Sequence, residues 1–225
     1  MARVTTSAAL GLGFLLGVLA VALFVPAGTL DFWQAWAFLA VFGTATTAIT
    51  IDLAKRDPAL LERRVHVGPL AEPRRLQQAI QAATSLAFLA AFVLAGLDRR
   101  AGWSRVPVVL VIAGDGLVAL GLVAVLRVFR ANTFTSAVID VDREQQLVST
   151  GPYAVVRHPM YAGALVLLVG APLALGSWWA ELAIPPLVGA IVARLLDEER
   201  VLAARLPGYI DYRSRVRYRL VPRLW

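Results

Sequence analysis

Six long apolar runs constrain this chain more than anything else in it. They span residues 8–26, 32–53, 77–97, 106–126, 159–177 and 178–196, and each is built mainly from Ala, Leu, Val, Gly and Phe with few charges. A helix needs about 20 mainly apolar residues to cross a bilayer core. A soluble protein of 225 residues that buried six such runs would have too little polar surface left to clothe them. The charged fraction is 16%, well under the about 25% of an ordinary soluble domain. The expected fold is therefore all-α: a polytopic integral membrane helical protein with about six transmembrane helices. The first run is long and has no convincing cleavage site, so it is expected to be a retained helix rather than a secretory signal.

There is no Cys, which excludes a disulfide scaffold. With only His66 and His158 as further soft ligands, no metal centre is expected. The net charge of +7 belongs, in so apolar a chain, beside anionic headgroups rather than on nucleic acid, so membrane lipids are the expected contacts. If both termini share one side, every Lys and Arg except Arg99, Arg100 and Arg105 falls on that side. The bias predicts that both termini are cytoplasmic, as in a bacterial inner membrane.

No internal repeat divides the chain, which reads as a single integral membrane domain, 1–225. Its N-terminal helices occupy 1–126, and 127–225 carries nearly all the unusual residues as a C-terminal catalytic portion. The polar loop 131–158 is long for such a protein, and long loops that are not linkers tend to be functional. A turn near Gly176-Ser177, flanked by Trp178 and Trp179, predicts a tight hairpin of the last two spans. That hairpin would bring Arg157-His158-Pro159 beside the stretch Arg194 to Glu199. Pro159 suits the first turn of a helix, and His158 is expected to cap it.

Two clusters are candidates for chemistry. The segment GPYAVVRHPMYAG (151–163) places Tyr153, Arg157, His158 and Tyr161 at the mouth of a membrane helix, whose free N–H groups favour an anion. The plainer alternative is that Arg157 snorkels to headgroups and the tyrosines form an interfacial belt. Arg194, Asp197, Glu198 and Glu199 form the second cluster. Arg194 and Glu198 share a helix face as an i,i+4 pair, which is commonly a solvated ion pair. Three consecutive acids at a cationic boundary make sense if something cationic binds there. Asn132, Thr133 and Thr135 are either ligand contacts or loop caps. Residues 57–64 are expected to form a surface helix, whose Glu62 and Arg63 face either the site or headgroups. Asp115, an acid inside an apolar run, is expected to partner an Arg of 99–105. Trp33 and Trp36 read as interfacial anchors. The tail from Pro207 to Trp225 alternates Arg with Tyr, Val and Leu and is expected to lie at the interface and cover the site.

The pattern Leu147, Val148, Gly151, Tyr153, Arg157, His158, Pro159, Tyr161 resembles the isoprenylcysteine carboxyl methyltransferase and phospholipid methyltransferase superfamily. The later Glu198, Glu199, Leu202 and the tail Pro207 through Pro222 are similar to the same superfamily in the same order, as is DPALLERR at 57–64 in its bacterial members. The resemblance covers roughly 126–225. It implies a membrane methyltransferase using S-adenosylmethionine, with S-adenosylhomocysteine as product. By motif position it implies that Gln145, Gln146, Leu147, Val148, Tyr153, His158, Pro159, Met160, Tyr161 and Glu198 line the donor. Arg194 matches the family position associated with the substrate carboxylate. The implied acceptor is lipophilic: a prenylated, isoprenylcysteine-like carboxylate, or alternatively a phospholipid amine. A carboxylate needs no base at neutral pH. An amine must lose a proton, with Glu199 or His158 as the candidate catalytic groups. Membrane sterol and enone reductases using NADPH share an RHP-x-Y-x-G-like motif, but commonly carry an acid where Ala164 follows Gly163.

Overall fold

The computed structural model describes residues 2–65, 72, 74–135 and 145–225. His66, Arg143 and the centre of the 131–158 loop lie outside the described residues. Among the described residues eight α-helices follow one another: α1 (Ala2–Ala27), α2 (Trp33–Arg56), α3 (Pro58–Val65), α4 (Arg75–Ala101), α5 (Val108–Ala131), α6 (Pro159–Ala174), α7 (Ile184–Arg205) and α8 (Tyr209–Arg215). Short 3₁₀ turns at Gly151–Ala154 and Ala180–Ala183 precede α6 and α7. Among the described residues there is no strand.

Four helices, α1, α2, α4 and α5, are long and apolar enough to cross a membrane. Helix α6 is apolar but only 16 residues long, about 24 Å at 1.5 Å per residue. The sixth apolar run does not start as α-helix at residue 178. Its first residues form the Ala180–Ala183 turn, and Pro185-Pro186, fixed in φ and lacking N–H groups, open α7 instead. Ser177 N–H donates to Pro172 C=O at 3.0 Å, and Gly176 takes a φ of +69° that ends α6.

The expected tight hairpin is looser than the sequence suggests. Helix α6 packs chiefly along α5, while α7 leans on α4 and touches α6 sparingly. Glycines explain the first contact. Gly114 and Gly121 of α5 lie against Gly170 and Gly163 of α6, so that a Cβ on Gly121 would sit 2.7 Å from the Gly163 carbonyl oxygen. Small residues let helix backbones approach in this way where apolar burial alone gives no drive. Helices α6 and α7 therefore diverge, and a space opens between their ends.

The main core gathers Leu19, Leu23, Phe38, Phe92, Val118 and Leu122 from α1, α2, α4 and α5. A second core seats α3, whose Leu60 and Leu61 pack with Leu53, Phe129 and Met160. Asp57 starts α3 by accepting the Leu60 N–H at 2.9 Å. Asp115 does not pair with the 99–105 arginines. It sits two turns into α5, deeper than they reach, and its Oδ1 is buried without a hydrogen bond. Arg99 instead donates to the Asp31 carbonyl at 2.7 Å. Trp33 and Trp36 are both half-exposed, and the Trp36 indole donates to the Leu30 carbonyl at 3.0 Å.

Candidate active site

The site is built on the start of α6. Gly151, at a φ of +59°, begins the turn that leads into Arg157 and His158. Their backbone N–H groups donate to the carbonyls of Tyr218 and Arg219, each at 2.9 Å, so the tail is docked directly on the motif. His158 does occupy the N-cap position of α6, but its ring makes no cap hydrogen bond. The ring turns away, and its Nε2 lies 3.3 Å from Glu199 Oε1.

Glu199 is the hub of a buried cluster. Arg157 Nε lies 2.8 Å from the same oxygen. Its N–H does not point at the oxygen, so the contact is an ion pair rather than a hydrogen bond. Arg219 Nε donates to the other oxygen, Oε2, at 3.1 Å. Glu199 lies past the apolar part of α7. Burial alone would raise its carboxyl, but the His158 hydrogen bond and the Arg157 charge outweigh it and hold the group at about 2. Glu199 does not line the cleft described below. A carboxylate so committed is a poor base. The structure makes Glu199 the residue that holds Arg157 and His158 in place.

The acidic triplet is divided three ways because successive helix positions turn by about 100°. Asp197 faces α4 and is held by Arg74 and by the Gln77 amide. Glu199 faces the tail and α6. Only Glu198 faces the cleft, where it accepts the Tyr161 hydroxyl hydrogen bond at 2.7 Å. Arg194, one turn earlier, also faces the cleft. Its Nη2 lies 2.7 Å from Glu72 and its Nη1 donates to Gln77 Oε1 at 3.0 Å. Both Glu72 and Gln77 are buried and were missed in the sequence, since they lie more than a hundred residues away.

Between these elements lies a cleft of about 910 Å³, counting its open mouth. Gln145, Gln146, Leu147, Val148, Tyr153, His158, Pro159, Met160, Tyr161, Arg194 and Glu198 all line it. Asn132 and Thr135 line it too, and both also bond within their own turn: Asn132 Oδ1 accepts the Phe134 N–H at 2.9 Å. Thr133 is engaged through its carbonyl, which accepts from Arg63 at 2.7 Å, whereas Glu62 is exposed. The aromatic wall was missed: Phe134, Tyr209 and Tyr212, with Leu206, complete the cleft. The i,i+3 spacing of Tyr209 and Tyr212 on a short helix was the available signal. These tyrosines are buried with Leu206 against Leu147 and Tyr153, so the tail is a wall of the site as well as a cover. The Tyr212 hydroxyl donates to the Tyr153 carbonyl at 2.8 Å. Burial pushes the Tyr153 phenol up to about 12, keeping it protonated.

This combination of wall chemistries could hold a ligand that carries a cation, an anion and a flat ring. Glu198 offers a counter-charge for a cation, the first N–H groups of α6 suit a carboxylate, and the aromatic side suits a flat base. Among the described residues the fold is thus all-helical, with four helices long and apolar enough to cross a membrane and a cleft at one end of the bundle. Residues 109–206 match the family described as phospholipid methyltransferase, so this stretch resembles the isoprenylcysteine/phospholipid methyltransferase superfamily. No curated protein matches the chain. The family match ends before Tyr209 and Tyr212, which lie in the tail that closes the cleft.

Proposed function

We propose that this protein transfers the methyl group of S-adenosylmethionine to a lipophilic acceptor, with an isoprenylcysteine-like carboxylate as the favoured acceptor. The observation that carries the reading is the placement of Glu198 and Arg194 one turn apart on α7, facing one cleft across from the start of α6. The cosubstrate supplies a methyl group on a sulfonium, activated for in-line displacement.

In this reading the chain's own residues bind and orient. Glu198, fixed by the Tyr161 hydroxyl, holds the positive end of the donor. The N–H groups at the start of α6 hold its carboxylate. Phe134, Tyr209 and Tyr212 enclose the adenine. Alignment of donor and acceptor supplies much of the acceleration, about 7–11 kcal/mol where the geometry is close to reactive. The acid–base arrangement favours a carboxylate acceptor over an amine. A carboxylate arrives ionised, whereas an amine needs a base, and of the two candidates Glu199 is locked in ion pairs and His158 has its Nε2 turned to Glu199. The same reading has six spans, with α6 and α7 completing the four longer ones. It puts both termini and the cleft on the cytoplasmic side, where the Arg excess lies.

Incubation of the purified protein with methyl-labelled S-adenosylmethionine and a native lipid extract tests the proposal. The expected product is a labelled methyl ester; a labelled phospholipid headgroup would replace the carboxylate with an amine acceptor. No labelled lipid, together with stabilisation by NADPH in a melting assay, would overturn methyl transfer in favour of reduction.

A further inference from the structure

The arginines around the cleft fall into two groups. Arg157 and Arg219 hold Glu199, and Arg194 holds Glu72. Arg64, in the last turn of α3, pairs with no carboxylate among the described residues. Its Nη2 donates to the thioether of Met160 at 2.8 Å, and its guanidinium lies over the Phe129 ring, 4.5 Å from the centroid. Its Nε is buried with no hydrogen-bond partner among the described residues. A guanidinium with five N–H donors in a fixed fork is badly served by a sulfur and a ring face. A half-buried cation with a buried, unsatisfied Nε is unfavourable as it stands, and an arriving anion would complete it.

The surroundings say where that anion would sit. Met160, against which Arg64 rests, lines the cleft. The charge of Arg64 is felt by Tyr161, Tyr153, Glu198 and Arg194, all four in the cleft wall. Next to it, Arg63 ties α3 to the cleft loop through the Thr133 carbonyl at 2.7 Å. Leu60, Leu61 and Phe129 pack into a buried core beneath Arg64, so that side of the guanidinium is apolar. Burial lowers the guanidinium to about 10, so it stays charged at neutral pH.

We propose that Arg64 is the anion-recognition residue for the acceptor, taking the carboxylate or phosphate head of a lipophile between α3 and the start of α6. This rests on the reading of the cleft as a methyl-transfer site, but it assigns the anion to a residue on another element. Arg194, already neutralised by Glu72, then orients the acceptor rather than supplying its sole counter-charge.

The test compares the intact protein with Arg64→Met and Arg64→Lys in detergent. The probes are N-acetyl-S-farnesylcysteine, its uncharged carboxamide and dioleoyl phosphatidic acid, with binding followed by tryptophan fluorescence. S-adenosylmethionine affinity is measured in parallel by calorimetry. The intact protein is expected to bind one of the two anionic probes at least tenfold tighter than the carboxamide. Arg64→Met is expected to abolish that preference, Arg64→Lys to keep part of it, and both to leave donor affinity within twofold. Which anionic probe is preferred distinguishes a prenyl carboxylate from a lipid phosphate. A preference that survives Arg64→Met, or no preference in the intact protein, would overturn the assignment. Failure of all variants to bind the donor would instead overturn the methyl-transfer reading. A lower melting temperature for Arg64→Met with unaltered probe preference would show a packing role only and would also overturn it.

Discussion

The two ends of the helical bundle solve opposite problems. At one end a single acid, Asp98, closes the structure. It is 2% exposed, accepts the Ser104 N–H at 2.8 Å and binds the hydroxyls of Ser104 and Ser177. Those serines in turn accept the N–H groups of Trp178 and Ala180, and Trp103 packs on Trp179 nearby. Every partner is short and local to the turns that join α4 to α5 and α6 to α7. At the other end, arginines from the turn before α6, from α7 and from the tail meet acids from α7 and from the stretch before α4, and a cleft stays open among them. Small neutral donors around one acid make a seal. Long cationic side chains held by distant acids make a rim around a space.

This contrast predicts different responses to substitution. The largest stability loss is expected for Glu199→Gln, which leaves Arg157 and Arg219 without their carboxylate; breaking a buried pair destabilises by about 3–5 kcal/mol. It should lower the melting temperature in detergent and weaken donor binding together. The same residue sets an acid limit. Its folded carboxyl lies at about 2, below the ordinary carboxyl value of 4.5. Its contribution is therefore full above pH 4.5 and is lost as pH falls toward 2. Melting against pH should show that acid limb, and Glu199→Gln should flatten it.

Next in size is Gly121→Leu, which drives a side chain into the Gly163 carbonyl. It should destabilise by about 3 kcal/mol, the upper part of the overpacking range, while a small change such as Gly116→Ala, with open space around it, should be tolerated. Asp98→Ala leaves buried donors unsatisfied and should destabilise by about 2 kcal/mol, yet alter donor affinity by less than twofold. A large affinity loss there would break the distinction between a sealing end and a binding end. Arg99→Ala, at an exposed contact with Asp31, should leave both melting and binding unchanged.

The parts of this architecture legible in the sequence are those set by local spacing. Run length gave the long helices, and Pro159 marked the start of α6. Position along one segment kept Gln145 to Val148, Tyr153 and His158 to Tyr161 on one wall. Helical periodicity linked Arg194 to Glu198, and followed one step further it also separates Glu198 from Asp197 and Glu199. The partners contributed by distant elements were not legible. Glu72 and Gln77 reach Arg194 only after α4 packs on α7, and Arg219 reaches Glu199 only after the tail pairs with Arg157 and His158. The looseness of the last hairpin was likewise hidden, because it follows from glycine contacts that tie α6 to α5 instead.

The central claim is that Glu198 and the start of α6 together bind a sulfonium donor. Calorimetric titration of S-adenosylmethionine into the purified protein and into Glu198→Ala tests it most directly. The account predicts saturable binding by the parent and at least a hundredfold loss in the variant at an unchanged melting temperature. Equal affinity in the two proteins would contradict it.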